Sequence, residues 1–443
     1  MSIRFISKKI FDQVFLINTN YGETIKLSYD SRTDVVNSIF FAFEGENFDG
    51  HDFIKQVLDK GCLLVVASKS KQNLLKNITT EKILFVNNPL DFYSRLAKAH
   101  LAQFSIPKIA ITGSNGKTTT KEMLYAALVA ILSKDAVYKN AGNHNNHIGV
   151  PISALEVNKH HQVAIFEMGM NHEGEITNLC NIVMPTYGLI TNIGVAHEGN
   201  FKLGQDGIQM AKGELFAHLE KNLGHAIINL DDERIIKEAH KRKFLQQTTY
   251  SILENNIAEL TNIPLPGKHH RHNALAALAV IKALGMPLKQ ASLGIKNMSP
   301  IKGRMHIIKH KNITLIDDAY NANPDSFKAG LQASLSFEAN RRIGVIGSMA
   351  ELGNKSEYYH QELGKILPNY FDYLFLCGEM AQVVAQWAIN NGMSEEKVII
   401  KKTSQDLIDP LKDFIRQEDL LFIKGSNSNN MYIIVENIFK EKL

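Results

Sequence analysis

The sequence predicts an α/β protein of three domains, each built on a mostly parallel sheet. Three observations carry that prediction. The chain has 443 residues, too many for one hydrophobic core, so it must divide. Short apolar runs recur, each followed by polar or glycine-rich residues and then a stretch of helical periodicity. They are KIAITG at 108–113, VAIFEMG at 163–169, YGLITNIG at 187–194, HAIINLDD at 225–232, ITLIDDAY at 313–320, RIGVIG at 342–347, YLFLCG at 373–378 and LLFIKGS at 420–426. Such alternation indicates parallel strands buried on both faces by their connecting helices. Finally, Glu167, Asn192, Asn229, Asp231, Asp317, Asp318 and Lys424 fall at or just past the ends of these runs. Ligands bind beyond the carboxyl ends of strands in an open parallel sheet, so the pattern collects the chemistry along one edge.

Two breaks divide the chain. LAKAHLAQFSIPK at 96–108 reads as a helix entering a proline-containing connector. LGIKNMSPIKGRM at 293–305 follows an alanine-rich helix running from Asn273 to Leu284. The expected domains are 1–105, 106–298 and 299–443. The composition, 44% hydrophobic and 21% charged, is that of a folded protein. Lys and Arg number 49 against 45 Asp and Glu, giving +4 with no basic block, so nucleic acid is not an expected partner. No run approaches the roughly 18 apolar residues of a membrane span. The N-terminal MSIRFISKKIFDQVF lacks the apolar core and cleavage site of a signal peptide. Cys62, Cys180 and Cys377 are scattered, with no C-x-x-C pair, which fits a reducing compartment and an expected cytoplasmic location.

ITGSNGKTTT at 111–120 comes close to the phosphate loop G-x-x-x-x-G-K-[ST], but Ile111 stands where the first glycine would be. A strand, a glycine-rich turn and a helix starting near Lys117 form the context in which such a loop binds nucleotide. Gly113 and Gly116 let the backbone N–H groups of Ser114, Asn115 and their neighbours converge on phosphate oxygens, aided by the helix N-terminus. Lys117 would neutralise the β- and γ-phosphates, and Thr118, beside Thr119, would offer a hydroxyl to Mg²⁺. The plain alternative is a capped turn. Glu167 ends a buried strand, which is costly unless it meets a cation or caps a helix. His197, in TNIGVAHEGN, is either a ligand or an ordinary hydrogen-bonding loop residue. Lys212, in MAKGEL, is either functional or a solvated lysine near a helix start.

These stretches resemble the Mur ligase superfamily. ITGSNGKTTTKEM is similar to its shortened phosphate loop and GNHNNHIGVP to its asparagine-rich loop, and FEMGMNHEGEI, TNIGVAHEGNF and MAKGEL follow in the expected order. IDDAYNANPDS and GSMAELGNKSEYYHQELG resemble the signatures of the branch that adds D-alanyl-D-alanine, and DSRTDVVNSIFFAFEGENFDGHDF at 30–53 resembles its N-terminal domain. The resemblance spans almost the whole chain. It implies an N-terminal UDP-substrate-binding domain, a central phosphate-loop ATPase domain and a Rossmann-like C-terminal domain for the amino acid or dipeptide.

The implied activity is ATP-dependent amide synthesis, joining D-alanyl-D-alanine to UDP-N-acetylmuramoyl-tripeptide through an acyl phosphate. The cofactors would be ATP and two Mg²⁺ ions, and a monomer is expected. By the same resemblance, Thr118 and Glu167 would hold one Mg²⁺, while Glu167 and His197 would serve the second. Lys212 matches a position carbamylated by CO₂, where it would help hold Mg²⁺. Asn273 matches a nucleotide-contacting asparagine. His270 stands where the superfamily usually has another Asn. Asp231 resembles a position beside the nucleotide, with a helix N-cap as the alternative. Arg304 and Asp318 match residues that close over phosphates and ribose, so domain closure is expected. Asn143 and Asn146 fall in the asparagine-rich loop on the substrate side. Asn321 and Asn323 would read the incoming dipeptide, or simply build the turn before Pro324. Where relatives carry K-G-S-R, this chain has Lys424-Gly425-Ser426-Asn427. Ser426, Asn427 and backbone N–H groups are therefore the expected replacements for the arginine. Ser31, Arg32, Asp49 and His51 are candidates for the UDP end.

Two other readings fit parts of the pattern. One is a sister Mur ligase or a folylpolyglutamate synthase-like enzyme. DDAYNANP argues against it, because a ligase for a charged amino acid should place a charged residue there. The other is a nucleotide-binding switch, which would have no use for a second metal site built from Glu167, His197 and Lys212.

Overall fold

The structure is a computed structural model that describes residues 4–15, 22–45, 48–78, 80–196, 198–253 and 263–440, so His197 lies outside the described residues. The chain groups into two compact units. The first comprises residues 1–110, 135–169 and 177–186, and the second residues 111–134, 170–176 and 187–443.

The first unit contains a five-stranded sheet in the order β1-β2-β3-β4-β5. Its strands are β1 (Arg4–Ser7), β2 (Thr24–Ser28), β3 (Ser38–Phe41), β4 (Leu64–Ser68) and β5 (Ile83–Val86). The β1–β2 pair is antiparallel and the rest are parallel. Val35, Phe40, Ile54, Val57, Val65 and Ala67 form the core on one face. The helix Pro89–Leu101 covers another side with Tyr93, which meets Phe41 and Phe43 edge-on. That helix ends at Leu101, and the connector containing Pro107 follows, as the sequence suggested. The strand β6 (Lys108–Thr112) begins in this unit, in the order β6-β8-β7 with β7 (Val137–Lys139) and β8 (Val163–Glu167).

In the second unit β6 continues the order β11-β10-β9-β6, with β9 (Tyr187–Ile190), β10 (His225–Asn229) and β11 (Gln246–Tyr250). The alanine-rich helix runs Lys268–Ala283 and starts a turn earlier than expected. The second unit also holds a six-stranded sheet in the order β12-β13-β17-β14-β15-β16. Its strands are β12 (His306–His310), β13 (Ile313–Asp318), β14 (Arg341–Gly347), β15 (Tyr373–Cys377), β16 (Val398–Lys401) and β17 (Asp419–Lys424). Only β12 is antiparallel.

The last sheet shows why its strands read as continuous apolar runs. Leu420 and Phe422 pack with Phe327, Leu331, Leu363 and Val384, from the helices that follow β13, β14 and β15. Leu421 and Ile423 point the other way, to Leu407, Leu411 and Ile434. Both sides of the strand are therefore buried, and alternation of polarity disappears. The chain steps outward from β13 through β14 and β15 to β16, then returns to insert β17 between β13 and β14. Helices after β14 and β17 thus lie on opposite faces, which opens a crevice at the strand ends.

Candidate functional site

The phosphate loop leaves β6, whose five residues are all buried. Gly113 has φ 149° and Gly116 φ 80°. A Cβ at Gly113 would sit 1.8 Å from Thr191 Oγ1, and one at Gly116 would sit 2.3 Å from Asn273 Oδ1. No residue with a side chain fits either position, so the backbone can approach its neighbours and a ligand closely. The end of β9 braces the turn. Ser114 N donates to Asn192 O at 2.9 Å, Asn115 N to Asn192 Oδ1 at 3.0 Å, and Thr191 Oγ1 to Asn115 O at 2.6 Å. The helix Lys117–Ile131 follows, capped by Gly116 in the left-handed conformation. The Lys117 ammonium folds back onto Gly113 O at 2.7 Å and Ser114 O at 3.3 Å. Ser114 N and Asn115 N, expected to face phosphate, are thus engaged with Asn192, which leaves the helix start after Gly116 as the part of the turn suited to an anion.

A cavity of about 440 Å³ extends from the loop. Asn115, Gly116 and Thr119 line it with Asn273, Arg304 and Asp318, so six residues singled out in the sequence share one space. Arg304 lies over the Tyr320 ring, 4.0 Å from its centre, and its Nε has no hydrogen-bond partner among the described residues. Asp318 Oδ2 accepts from the buried Lys424 ammonium at 2.6 Å. Burial pushes the Lys424 ammonium down from its usual range, and the Asp318 charge opposes that. Asp231 also lines the cavity. It is not the helix cap, because Asp232 does that work through Arg234 N and Ile235 N. Burial works against the charge of Asp231, but Ser251 Oγ at 2.5 Å and Ile252 N at 2.7 Å hold its pKa low.

His270 was noted in the sequence only as a departure. It is 3% exposed, lines the same cavity, and neither ring nitrogen has a partner among the described residues. Burial, then charge repulsion from His269, Arg304 and Lys424, push its pKa well below the usual imidazole range.

Lys212 is not a solvated lysine. It is 1% exposed on the helix Gln205–Lys221. Burial pushes its pKa well down, and the Lys117 charge adds to that. Both effects favour the neutral amine, the form that captures CO₂.

Glu167 belongs to the first unit, and Thr118 and Lys212 to the second. Glu167 is 2% exposed, and its Oε1 accepts from Asn145 Nδ2 at 2.8 Å. Its backbone N donates to Asn140 Oδ1 at 2.8 Å. Asn145, in the asparagine-rich loop, therefore addresses the carboxylate, while Asn140, just before it, holds the Glu167 backbone at both N and O. Asn143 is exposed, and Asn146 Oδ1 caps Gly149 N at 2.9 Å. Asn140 and Asn145 were not singled out in the sequence, because four asparagines in one loop carry no period to rank them. The described residues contain no cluster of three or more His, Cys, Asp or Glu arranged for a metal. The hydroxyl of Thr118 and the carboxylate of Glu167 are hard oxygen donors, the kind that Mg²⁺ takes.

The remaining candidates fall in three places. Asn323 is committed twice: Oδ1 accepts from Ser326 N in a capping box, and Nδ2 donates to Asn115 Oδ1 at 2.7 Å. Asn321 Oδ1 accepts from Ala322 N at 2.9 Å and from Asn427 N at 3.4 Å. Ser426 is buried and lines a second cavity of about 650 Å³ in the crevice between β14 and β17, whereas Asn427 does not line it. Lys402, not anticipated, adds a cation to that cavity. In the first unit, Asp49 Oδ1 meets His51 Nδ1 at 2.5 Å and Asp49 Oδ2 meets Lys71 at 2.7 Å. His51 Nε2 accepts from Ser68 N at 2.9 Å. Arg32 pairs bidentately with Asp30, and Ser31 O accepts from Lys60 at 2.8 Å.

Comparison with known proteins agrees along the whole chain. Residues 111–263 match the Mur ligase middle domain, and residues 303–427 match the Mur ligase, glutamate ligase domain. The UDP-N-acetylmuramoyl-tripeptide--D-alanyl-D-alanine ligase of Bacillus subtilis is 31% identical, over 97% of this chain and 96% of its own. The crystal structure of MurF from Acinetobacter baumannii is similar with a TM-score of 0.84, 29% identity and full coverage of both chains. MurF ligase from Thermotoga maritima in complex with ADP is similar at 0.79, with 26% identity over 93% of this chain and 96% of that one. The three-domain α/β fold is shared with these proteins, and the chain belongs to the Mur ligase family.

Proposed function

We propose that this protein is the ligase that uses ATP to join D-alanyl-D-alanine to the terminal carboxylate of UDP-N-acetylmuramoyl-tripeptide, releasing ADP and phosphate. The observation that carries the proposal is a glycine cradle and its cavity in a chain related over its whole length to ligases of that name. The reading takes residues 1–105 as the UDP-substrate domain, 106–298 as the ATP domain and 299–443 as the dipeptide domain.

The chemical difficulty is bringing a carboxylate up to a triphosphate. Fixed positive charge and aimed N–H groups in a dry site relieve that repulsion. Lys117 and the N–H groups of the helix start would bind the phosphates, and Asn273, Arg304 and Asp318 the rest of the nucleotide. The substrate carboxylate attacks the γ-phosphorus, the bond to ADP breaks, and an acyl phosphate forms. The dipeptide amine then attacks the acyl carbon, losing its proton as phosphate leaves. Thr118, Glu167, His197 and a carbamylated Lys212 would hold two Mg²⁺ ions, which when bound offset charge on the phosphates. The burial of Lys212, which favours its neutral amine, supports carbamylation, since an ammonium cannot capture CO₂.

For the dipeptide, the cavity lined by Ser426, Ser348, Thr403 and Lys402 offers hydroxyls and one cation for a carboxylate. Asn321 and Asn427, joined by a hydrogen bond, stand as its further candidates, with Asn323. Asn143 and Asn146 remain candidates on the substrate side, and Ser31, Arg32, Asp49 and His51 for the UDP end. We further infer a cytoplasmic monomer. Among the described residues no helix is long and apolar enough to cross a membrane. The test is phosphate release by the purified protein with ATP and Mg²⁺. Release should require both the UDP-muramoyl tripeptide and D-alanyl-D-alanine, whereas turnover without either would overturn the reading.

A further inference from the structure

The loop after β9 is gripped at both ends by segments of the last sheet. At one end, Val195 N donates to Asp325 Oδ2 at 3.1 Å. At the other, the Glu198 carboxylate, 9% exposed, accepts from Lys355 Nζ at 2.8 Å and from Tyr359 Oη at 3.0 Å. Next to it, Gly199 N donates to Glu351 O at 3.3 Å. A Cβ on Gly199 would lie 2.4 Å from Gly353 N, and one on Gly353 would lie 2.8 Å from Gly199 Cα. Two backbones therefore meet where neither can carry a side chain. Glu198 also faces the start of the helix that carries Lys212, because a Cβ on Gly204 would come within 3.0 Å of Glu198 Oε1. The phosphate loop joins the same seam through Asn323 Nδ2 and Asn115 Oδ1.

We propose that Glu198, Lys355 and Tyr359 are positioning residues for the ligase reaction, coupling the segment after β14 to the loop after β9 and the Lys212 helix. None of the three lines the nucleotide cavity, so they act through the backbone that they hold. A largely buried carboxylate that loses both donors is left poorly solvated, so the docked last sheet stabilises the loop in this arrangement. The coupling rests on the ligase reading for its catalytic consequence, but not for its structural one.

The experiment compares Glu198→Gln, Lys355→Met, Tyr359→Phe and the Glu198→Gln/Lys355→Met pair in the full-length protein. Steady-state kinetics and hydrogen exchange over 195–200 are the readouts. For Glu198→Gln and Lys355→Met, kcat should fall about tenfold while KM for ATP stays within about twofold, and the pair should be no worse than the poorer single variant. Exchange over 195–200 should quicken in each variant, including Tyr359→Phe, which loses only a hydroxyl and keeps its packing. Unchanged kcat, losses that multiply in the pair, or wild-type exchange in all variants would overturn the proposal. If the wild-type protein shows no ligase activity, the functional reading falls, and exchange alone still decides the coupling.

Discussion

The nucleotide cavity and the Asp49–His51 turn contain the same kinds of side chain, yet they differ in what those side chains have left to give. In the turn every polar group is engaged within the protein. Asp49 binds His51 and Lys71, and His51 binds Asp49 and Ser68 N. In the cavity His270 has neither ring nitrogen engaged, and Arg304 Nε has no partner among the described residues. Buried polar groups left unpaired are costly, so a fold that keeps them gains their value when a ligand arrives. Engaged clusters hold a chain in place, and unengaged ones await an occupant.

That contrast orders a set of predictions. The largest effect belongs to Lys117→Met, which removes the cation from the phosphate cradle. Ligase kcat/KM should fall about a thousandfold or more, with the unfolding midpoint nearly unchanged. Lys212→Ala should cost about a hundredfold in kcat, and Lys212→Glu should recover part of it by restoring an anion. Equal losses in the two variants would detach Lys212 from carbamylation. His270→Leu keeps the bulk and removes the unengaged nitrogens. It should raise KM for ATP about tenfold while leaving stability unchanged or improved, the value of one hydrogen bond to a ligand. An unchanged KM would place the ring among groups that only fill space.

The smallest catalytic effect is expected at the turn. His51→Ala should lower stability by about 1–3 kcal/mol, because Ser68 N loses its acceptor, and should leave KM for ATP unchanged. The turn also carries a pH signature. Burial raises the Asp49 pKa, but hydrogen bonds from Lys71 and from the His51 backbone and ring outweigh it and bring it from 3.8 down to about 2. A depressed carboxylate stabilises the folded state above its unfolded pKa, and that contribution is lost as pH falls through about 2. Asp49→Asn should flatten the acid limb of a stability profile over that window.

The same contrast explains what could be read from the sequence. β6, β8, β9, β10, β13, β14, β15 and β17 were legible because strands covered on both faces carry unbroken apolar runs. β11, QQTTY, and β12, HIIKH, border their sheets and carry polar residues that hide them. β7 and β16 are too short to stand out, at three and four residues. At the site, the phosphate loop was legible because glycines are demanded where no Cβ fits. The unpaired state of His270 was not, since it depends on which side chains from distant segments come within reach of its ring. Glu198 and Lys355 stand 157 residues apart, and nothing local to either announces the other.

The central claim is that the substrate carboxylate becomes an acyl phosphate. A heavy-oxygen label placed in the terminal carboxylate of the UDP-muramoyl tripeptide tests it most directly. The account predicts that one labelled oxygen appears in each phosphate released during ligation with D-alanyl-D-alanine. Labelled oxygen recovered only in the peptide product, with unlabelled phosphate, would contradict it.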